Sequence, residues 1–210
     1  MAFYQSIDLT PDTSAHFWKI DEDFNTLFRS VALKDVSLAR LEQMKSESHQ
    51  KGFLAVRMLL QHLGYTDFDL SYDDSGKPHL NDGKTISISH SNNFSCIAVS
   101  NQKIGIDLEI LKEKTLKIAQ RFMNISHLQN LPKTEQLKKA TIIWGIKESV
   151  FKIKNVVGIS FLEHIFEDSF SLEDRKASVQ LHFNNQIEHF TIAFHSVEEY
   201  IFVCAFENIP

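Results

Sequence analysis

Seven residues, Ile104-Gly105-Ile106-Asp107-Leu108-Glu109-Ile110, alternate without a break between branched apolar side chains and small or acidic ones. A period of two is the mark of a β-strand, whose successive side chains point to opposite faces. Ile104, Ile106, Leu108 and Ile110 therefore share one face, and Gly105, Asp107 and Glu109 the other. At a rise of about 3.3 Å per residue the two carboxylates lie about 6–7 Å apart, close enough to share one hard cation through oxygen ligands. A solvated strand face carries Asp-x-Glu equally well. The glycine beside the acids marks a place where another group can approach the backbone closely.

Downstream, the helical stretch Thr141 to Lys152 has an apolar side of Ile143, Ile146, Val150 and Ile153 and a second stripe of Thr141, Gly145, Glu148 and Lys152. Glu148 and Lys152, four apart, fit a plain surface pair worth about 0.3 kcal/mol. Gly145 argues for more, because a mid-helix glycine costs about 1 kcal/mol against alanine and implies that something packs on that stripe. If the strand acids face the stripe, three carboxylates and one lysine converge, an arrangement suited to magnesium and phosphate.

The rest of the chain alternates between the two periods. Asp35 to Leu63 reads as helical, with Phe53, Val56, Leu60 and Leu63 at threes and fours and Gly64 placed to end it. Phe68, Leu70 and Tyr72 alternate as a strand, Asp73 to Pro78 is rich in turn formers, and Asp82-Gly83 signals a short hairpin before a strand over Thr85 to His90. Strands follow over Phe94 to Ser100 and Lys103 to Glu109, then helices over Lys114 to Met123 and Thr134 to Lys154. The tail holds strands over Val179 to Phe183, Phe190 to Phe194 and Tyr200 to Phe206, with Asn184-Asn185 as a turn. Helix followed by antiparallel strands thus occurs twice. A short echo accompanies it, Ser89-His90-Ser91 in one stretch and Phe194-His195-Ser196 in the other. The expected fold is α+β: a pseudo-twofold pair of similar halves, 1–102 and 103–210, each a small antiparallel sheet packed with a long helix. No Pro/Gly/Ser linker joins them, so a cleft between the halves is the expected ligand site, and the fused pair is expected to be a monomer.

Composition sets the boundaries of function. At 210 residues with 43% apolar and 23% charged residues, the chain can bury a substantial core. A net charge of −5 argues against nucleic acid or an anionic membrane as partner, so any anion must be held by a local basic cluster. Cys96 and Cys204 sit in apolar runs without metal-site spacing and read as buried free thiols. Met1 to Ile20 lacks the pattern of a leader, and nowhere do 18 apolar residues run together, which gives the expectation of a soluble, cytoplasmic protein. The upstream cations Arg40, Lys51, Arg57, Lys77 and His90 are scattered, as solvated surface residues usually are. Ser75-Gly76-Lys77-Pro78 is a turn whose backbone could approach a flat ring, and Ser89-His90 at a strand end could hold phosphate oxygens or serve structure alone. GxxxxGK[ST], GxGxxG, HExxH and GxSxG do not occur.

In order and spacing, Gly76-Lys77-Pro78, Ile88-Ser89-His90-Ser91, Ile104-Gly105-Ile106-Asp107-Leu108-Glu109 and Trp144-Gly145-Ile146-Lys147-Glu148-Ser149-Val150-Phe151-Lys152 together resemble the 4′-phosphopantetheinyl transferase superfamily. The likeness is to its longer, single-chain form, related to the surfactin- and enterobactin-activating enzymes. It covers about Arg40 to Lys152, and Phe53-Leu54-Ala55-Val56-Arg57 resembles the family's first helix. The resemblance implies that Asp107, Glu109 and Glu148 bind Mg²⁺, or Mn²⁺, together with the diphosphate of coenzyme A. It also implies that Lys152 holds the diphosphate and assists the leaving group. Ser89 and His90 would contact phosphate, Lys51 would bind the 3′-phosphate together with Arg57 or Arg40, and Ser75, Gly76, Lys77 and Pro78 would bind the adenine. The implied reaction is attack by a serine hydroxyl of an apo acyl or peptidyl carrier protein on the phosphorus bearing the pantetheine arm, releasing adenosine 3′,5′-bisphosphate. Glu148 would accept the serine proton, directly or through water.

Two departures stand out. Gly52 replaces the glutamate that relatives often carry before Phe-Leu-Ala, and Asn124-Ile125-Ser126-His127 follows Arg121-Phe122-Met123 where relatives usually place a glutamate. For an acidic carrier, Leu111 to Met123 offers Lys112, Lys114, Lys117 and Arg121 around Leu116, Ile118, Ala119 and Phe122. The rival readings are a Mg²⁺-dependent nucleotide diphosphate hydrolase, which leaves Gly-Lys-Pro and Ser-His-Ser unexplained, and a non-catalytic module that binds coenzyme A or a carrier, for which the loss of a metal ligand would be expected.

Overall fold

The computed structural model describes residues 3–208 and divides the chain into two compact units that meet between Asn101 and Gln102. In the first, β1 (Phe3–Thr10) and β2 (Thr13–Lys19) form a hairpin, followed by α1 (Phe24–Arg29), α2 (Asp35–Gln43), α3 (Glu47–His62), β3 (Leu70–Tyr72), β4 (Pro78–Leu80), β5 (Thr85–Ser91) and β6 (Phe94–Ser100). Its four-stranded antiparallel sheet has the order β1-β2-β6-β5, with β3 and β4 paired separately. The long helix α3 lays Phe53, Val56, Leu59 and Leu60 on that sheet in one buried cluster with Trp18, Ile86 and Ile97.

The helical pattern over Asp35 to Leu63 is two helices rather than one. Met44 and Ser46 take extended backbone, and the Gln50 amide donates to the Leu41 and Met44 carbonyls, satisfying groups that the end of α2 leaves open. Gly64 does end α3: at φ +83° it lets its own N–H reach the Gln61 carbonyl and that of Tyr65 reach the Leu60 carbonyl, the two bonds of a Schellman motif. Two expectations fail nearby. Phe68 belongs to a 3₁₀ turn and is exposed, so the strand begins only at Leu70. Asp82-Gly83 makes its turn, with Gly83 at φ +82°, yet the strands on either side do not pair, because β4 takes β3 as its partner.

The second unit runs β7 (Ile104–Ile110), α4 (Glu113–Ile118), α5 (Lys133–Lys154), α6 (Phe161–His164), β8 (Ile165–Glu167), β9 (Lys176–Phe183), β10 (Gln186–Val197) and β11 (Tyr200–Glu207). Its five strands are antiparallel in the order β7-β11-β10-β9-β8. The helix expected over Lys114 to Met123 ends early, passing after Ile118 into a 3₁₀ turn over Ala119–Arg121. Asn184 and Asn185, at φ 51° and 60°, turn β9 into β10. Within each unit the same three-stranded order recurs: the strand before the long helix, then the last strand, then the one preceding it, as β2-β6-β5 and as β7-β11-β10. His90-Ser91 and His195-Ser196 fall near the ends of the corresponding strands β5 and β10. Cys96 and Cys204 are buried and form no disulfide. Among the described residues no helix is long and apolar enough to cross a membrane.

Two glycines decide how closely α5 lies on this sheet. A Cβ on Gly105 of β7 would stand 2.0 Å from the Ser149 carbonyl oxygen and 3.1 Å from Ile153 Cγ1. On Gly145 of α5 it would stand 2.7 Å from Val203 Cγ2 of β11. The helix backbone at Ser149 thus lies against β7 where Gly105 carries no side chain, and Gly145 makes room for the Val203 side chain of β11. Gly105→Ala is expected to lower the unfolding free energy by about 3 kcal/mol in a urea melt, because main chain must move. Gly145→Ala is expected to lose less, since only the Val203 side chain is displaced and alanine returns about 1 kcal/mol of helix propensity. Equal losses would contradict this account of the packing.

Candidate functional site

In the second unit, the packing of α5 on β7 brings the acidic strand face against the Gly145 stripe of the helix. Asp107 is buried, its Oδ2 lying 3.7 Å from where a Gly145 Cβ would be. Lys152 Nζ donates to Asp107 Oδ1 at 3.0 Å and to the Ile106 carbonyl at 2.8 Å. Glu109 accepts from Trp144 Nε1 at 3.3 Å, and the indole is itself held edge-on by Phe122 and Phe161, with ring centroids 5.1 and 5.6 Å away. The strand's opposite face, Ile104, Ile106 and Leu108, is buried. Thr141 at the head of the stripe is buried too, its hydroxyl donating to the Leu137 carbonyl.

The acids disturb one another. Burial, and after it the charge of Asp107, pushes the Glu109 carboxyl up to about 7, with Trp144 and Lys152 opposing and Glu148 adding to the rise. Burial, and then Asp107, likewise raises Glu148, against Lys152. Carboxylates crowded in partial burial around a single ammonium are short of positive charge, and their oxygens are the donors that a hard divalent cation takes. The donor set therefore fits magnesium. Among the described residues, however, no three acidic, histidine or cysteine side chains are already gathered as a closed ligand set. Lys152 occupies Asp107 instead. The neighbouring Lys147 is no part of this group, being buried and paired with Glu167 and the Ile165 carbonyl.

In the first unit the candidate residues fall into three places. The turn over Ser75 to Pro78 is organised by Asp73, whose Oδ1 accepts from Ser75 N at 2.9 Å, Ser75 Oγ at 2.6 Å and Lys77 N at 3.0 Å, while Gly76 sits at φ +81°. The Ser75 hydroxyl first, then His79 and the Lys77 amide, hold the Asp73 carboxyl well below the usual range. Lys51 lines a cavity of about 370 Å³ with Ile20, Glu47, Ser48, Asn92 and Asn93. Ser89 is buried, whereas His90 is exposed at the end of β5 and meets His49 edge-on with ring centroids 5.8 Å apart. Gly52 makes room for that imidazole, since a Cβ there would lie 3.2 Å from His90 Cδ2. A larger cavity of about 640 Å³, at the turn between β1 and β2, contains none of these residues.

Of the two arginines expected to contribute, one is committed elsewhere. Arg57 is 2% exposed, its Nε donating to Asp67 Oδ1 at 2.9 Å and its guanidinium lying 3.4 Å from the centre of the Phe53 ring. It is thus held in the core rather than offered to a phosphate. Arg40 is exposed and stacked over Tyr72 at 4.7 Å, which leaves it the more accessible of the two. Of the apolar patch expected over Leu111 to Met123, Ala119 and Phe122 are buried in the core, while Lys112, Lys114, Lys117 and Arg121 are exposed. The exposed apolar residue nearest in sequence is Ile125. Sequence reasoning missed Asp73, although an acid two positions before Ser75 is the usual signal of an Asx turn. It also missed the Trp144–Glu109 bond, which spans 35 positions and leaves no local pattern.

Residues 103–205 match a profile described as the 4′-phosphopantetheinyl transferase superfamily. The chain is 34% identical over 83 residues to the 4′-phosphopantetheinyl transferase gsp of Aneurinibacillus migulanus, covering 38% of this chain and 35% of that one. It is 31% identical over 150 residues to the 4′-phosphopantetheinyl transferase Sfp of Bacillus subtilis strain 168, covering 65% of each chain. With the 4′-phosphopantetheinyl transferase ffp of Bacillus subtilis the identity is 30% over 173 residues, covering 76% of this chain and 75% of the relative. The chain thus spans about a third of the first relative's length and just under two thirds of the second's.

The burial of Arg57 generates a separate test. Arg57→Met leaves Asp67 buried with one partner fewer, and a loss of about 3–5 kcal/mol in unfolding free energy is expected from urea denaturation. A variant of unchanged stability would return Arg57 to the list of ligand contacts.

Proposed function

Because the chain belongs to the 4′-phosphopantetheinyl transferase superfamily, we propose that it transfers the 4′-phosphopantetheine arm of coenzyme A to a serine of an apo acyl or peptidyl carrier protein. The observation that carries this reading is the grouping of Asp107, Glu109 and Glu148 around Lys152. The serine Oγ forms a bond to the phosphorus that bears the pantetheine arm, the bond from that phosphorus to the bridging diphosphate oxygen breaks, and adenosine 3′,5′-bisphosphate leaves.

In this reading Asp107, Glu109 and Glu148 hold magnesium, which when bound neutralises the diphosphate and polarises its oxygens. Lys152, anchored on the Ile106 carbonyl and Asp107, presents an ammonium that orients the diphosphate and steadies charge on the leaving oxygen. Glu148 takes the serine proton directly or through a bridging water. Burial and the charge of Asp107 raise its affinity for protons, which is the direction a general base requires. Nucleotide binding falls to the first unit: the turn over Ser75 to Pro78 for the adenine, Ser89 and His90 for phosphate, and Lys51 with Arg40 for the 3′-phosphate. The exposed Lys112, Lys114, Lys117 and Arg121 would meet an acidic carrier.

Incubation with coenzyme A, Mg²⁺ and an apo carrier, followed by intact-mass analysis, tests the proposal. A phosphopantetheine increment on the carrier is expected; coenzyme A breakdown without it would mean hydrolysis, and no reaction a binding module. Asp107→Ala and Glu148→Gln should each abolish the increment with the circular dichroism spectrum unchanged, and near-normal turnover in either refutes the metal assignment. Lys114→Glu combined with Lys117→Glu should raise the KM for carrier and leave that for coenzyme A alone. An unchanged carrier KM dismisses the docking role.

A further inference from the structure

We propose that Trp144 is a positioning residue for the metal site, acting through Glu109; the inference rests on the transferase reading and adds to it a residue outside the acids and the lysine.

Glu109 lies near the end of β7, on the same strand face as Asp107 and two residues from it. Two like charges at that spacing repel, which favours turning the longer glutamate side chain away from Asp107. Its recorded hydrogen bond comes from the helix, where Trp144 Nε1 donates to Oε1 at 3.3 Å. That bond engages one carboxylate oxygen and leaves Oε2 outside it. An indole N–H is a donor only, so it orients a carboxylate without competing for a cation.

The indole is in turn held from two sides. Phe122, buried in the core after α4, meets it edge-on at 75°, and Phe161, which opens α6, meets it at 64°. Edge-to-face contacts of this kind favour one ring orientation beyond the area they bury. Aromatic rings from two other segments thus fix the direction of the N–H, the N–H fixes Glu109, and Glu109 meets the cation. Partners that orient a metal ligand from behind typically govern affinity by ten- to a hundredfold.

The test is a Mn²⁺ titration followed by electron paramagnetic resonance on the full chain with coenzyme A present. Trp144→Phe keeps a ring between Phe122 and Phe161 and removes the N–H; its Mn²⁺ dissociation constant is expected to rise about tenfold with little change in melting temperature. In a Glu109→Gln background the same substitution should have almost no further effect, whereas a role in packing alone would give independent, additive losses. Unchanged Mn²⁺ affinity in folded Trp144→Phe, or additive losses, overturns the inference. Should Trp144→Phe fail to fold, β-(3-benzothienyl)alanine at position 144 preserves the shape of the indole without its N–H and must show the same tenfold loss. Transfer by the wild type with Mn²⁺ binding unaffected in these variants would sink this inference alone. A wild type that transfers nothing to any apo carrier would sink the transferase reading instead.

Discussion

Contact between the backbone of α5 and that of β7 is the constraint on which the C-terminal unit depends. A helix normally keeps its distance from a sheet because side chains stand between them. Here Gly105 removes the side chain on β7, so that the Ser149 carbonyl occupies the space of the missing strand Cβ, and Gly145 lets the helix close over the Val203 side chain of β11. The consequence for chemistry is direct. Asp107 comes to lie against the helix, within reach of the Lys152 ammonium, and Glu109 comes within reach of the Trp144 indole. A wider gap would leave the same residues in the same order but out of one another's range.

Having been brought together, the acids are not at rest. Asp107, Glu109 and Glu148 share one lysine, and the affinities of Glu109 and Glu148 for protons rise in response to burial and to Asp107. A protein selected only for stability has little reason to keep carboxylates in this state, since partly buried like charges raise its energy unless something neutralises them. On the proposed reading, the arrangement is half of a complementary pair, the other half being a cation and an anionic substrate. An overall charge of −5 supplies no general positive field, so within the second unit the Lys152 ammonium among these acids is the more telling.

Much of this site was legible because it is written in short periods. Alternation over Ile104 to Ile110 separates the faces of β7 unaided, and Gly145 in a helical run is costly enough to announce a close neighbour. What escaped reading depends on partners distant in sequence. Arg57 follows Phe53 by four positions and looks like one more cation on a helix until Asp67, ten residues on and across the turn at Gly64, draws it into the core. The break at Met44 carries no local mark, since no proline stands between Leu41 in α2 and Phe53 in α3, both buried. The hairpin of β1 and β2 passed unread since its second strand mixes Ser14 and His16 among buried apolar residues and shows no clean alternation. Ala119 and Phe122 lie among the basic residues of a docking patch in sequence, and only the three-dimensional core shows that both are already covered.

The most direct measurement of the central claim is a crystal structure with coenzyme A and Mn²⁺, using the anomalous scattering of manganese to locate the ion. The account requires a manganese peak coordinated by oxygens of Asp107, Glu109 and Glu148 and by the diphosphate, with Lys152 at hydrogen-bond distance from the same phosphates. A peak on other residues, or coenzyme A bound with these three acids turned away from its diphosphate, would contradict it.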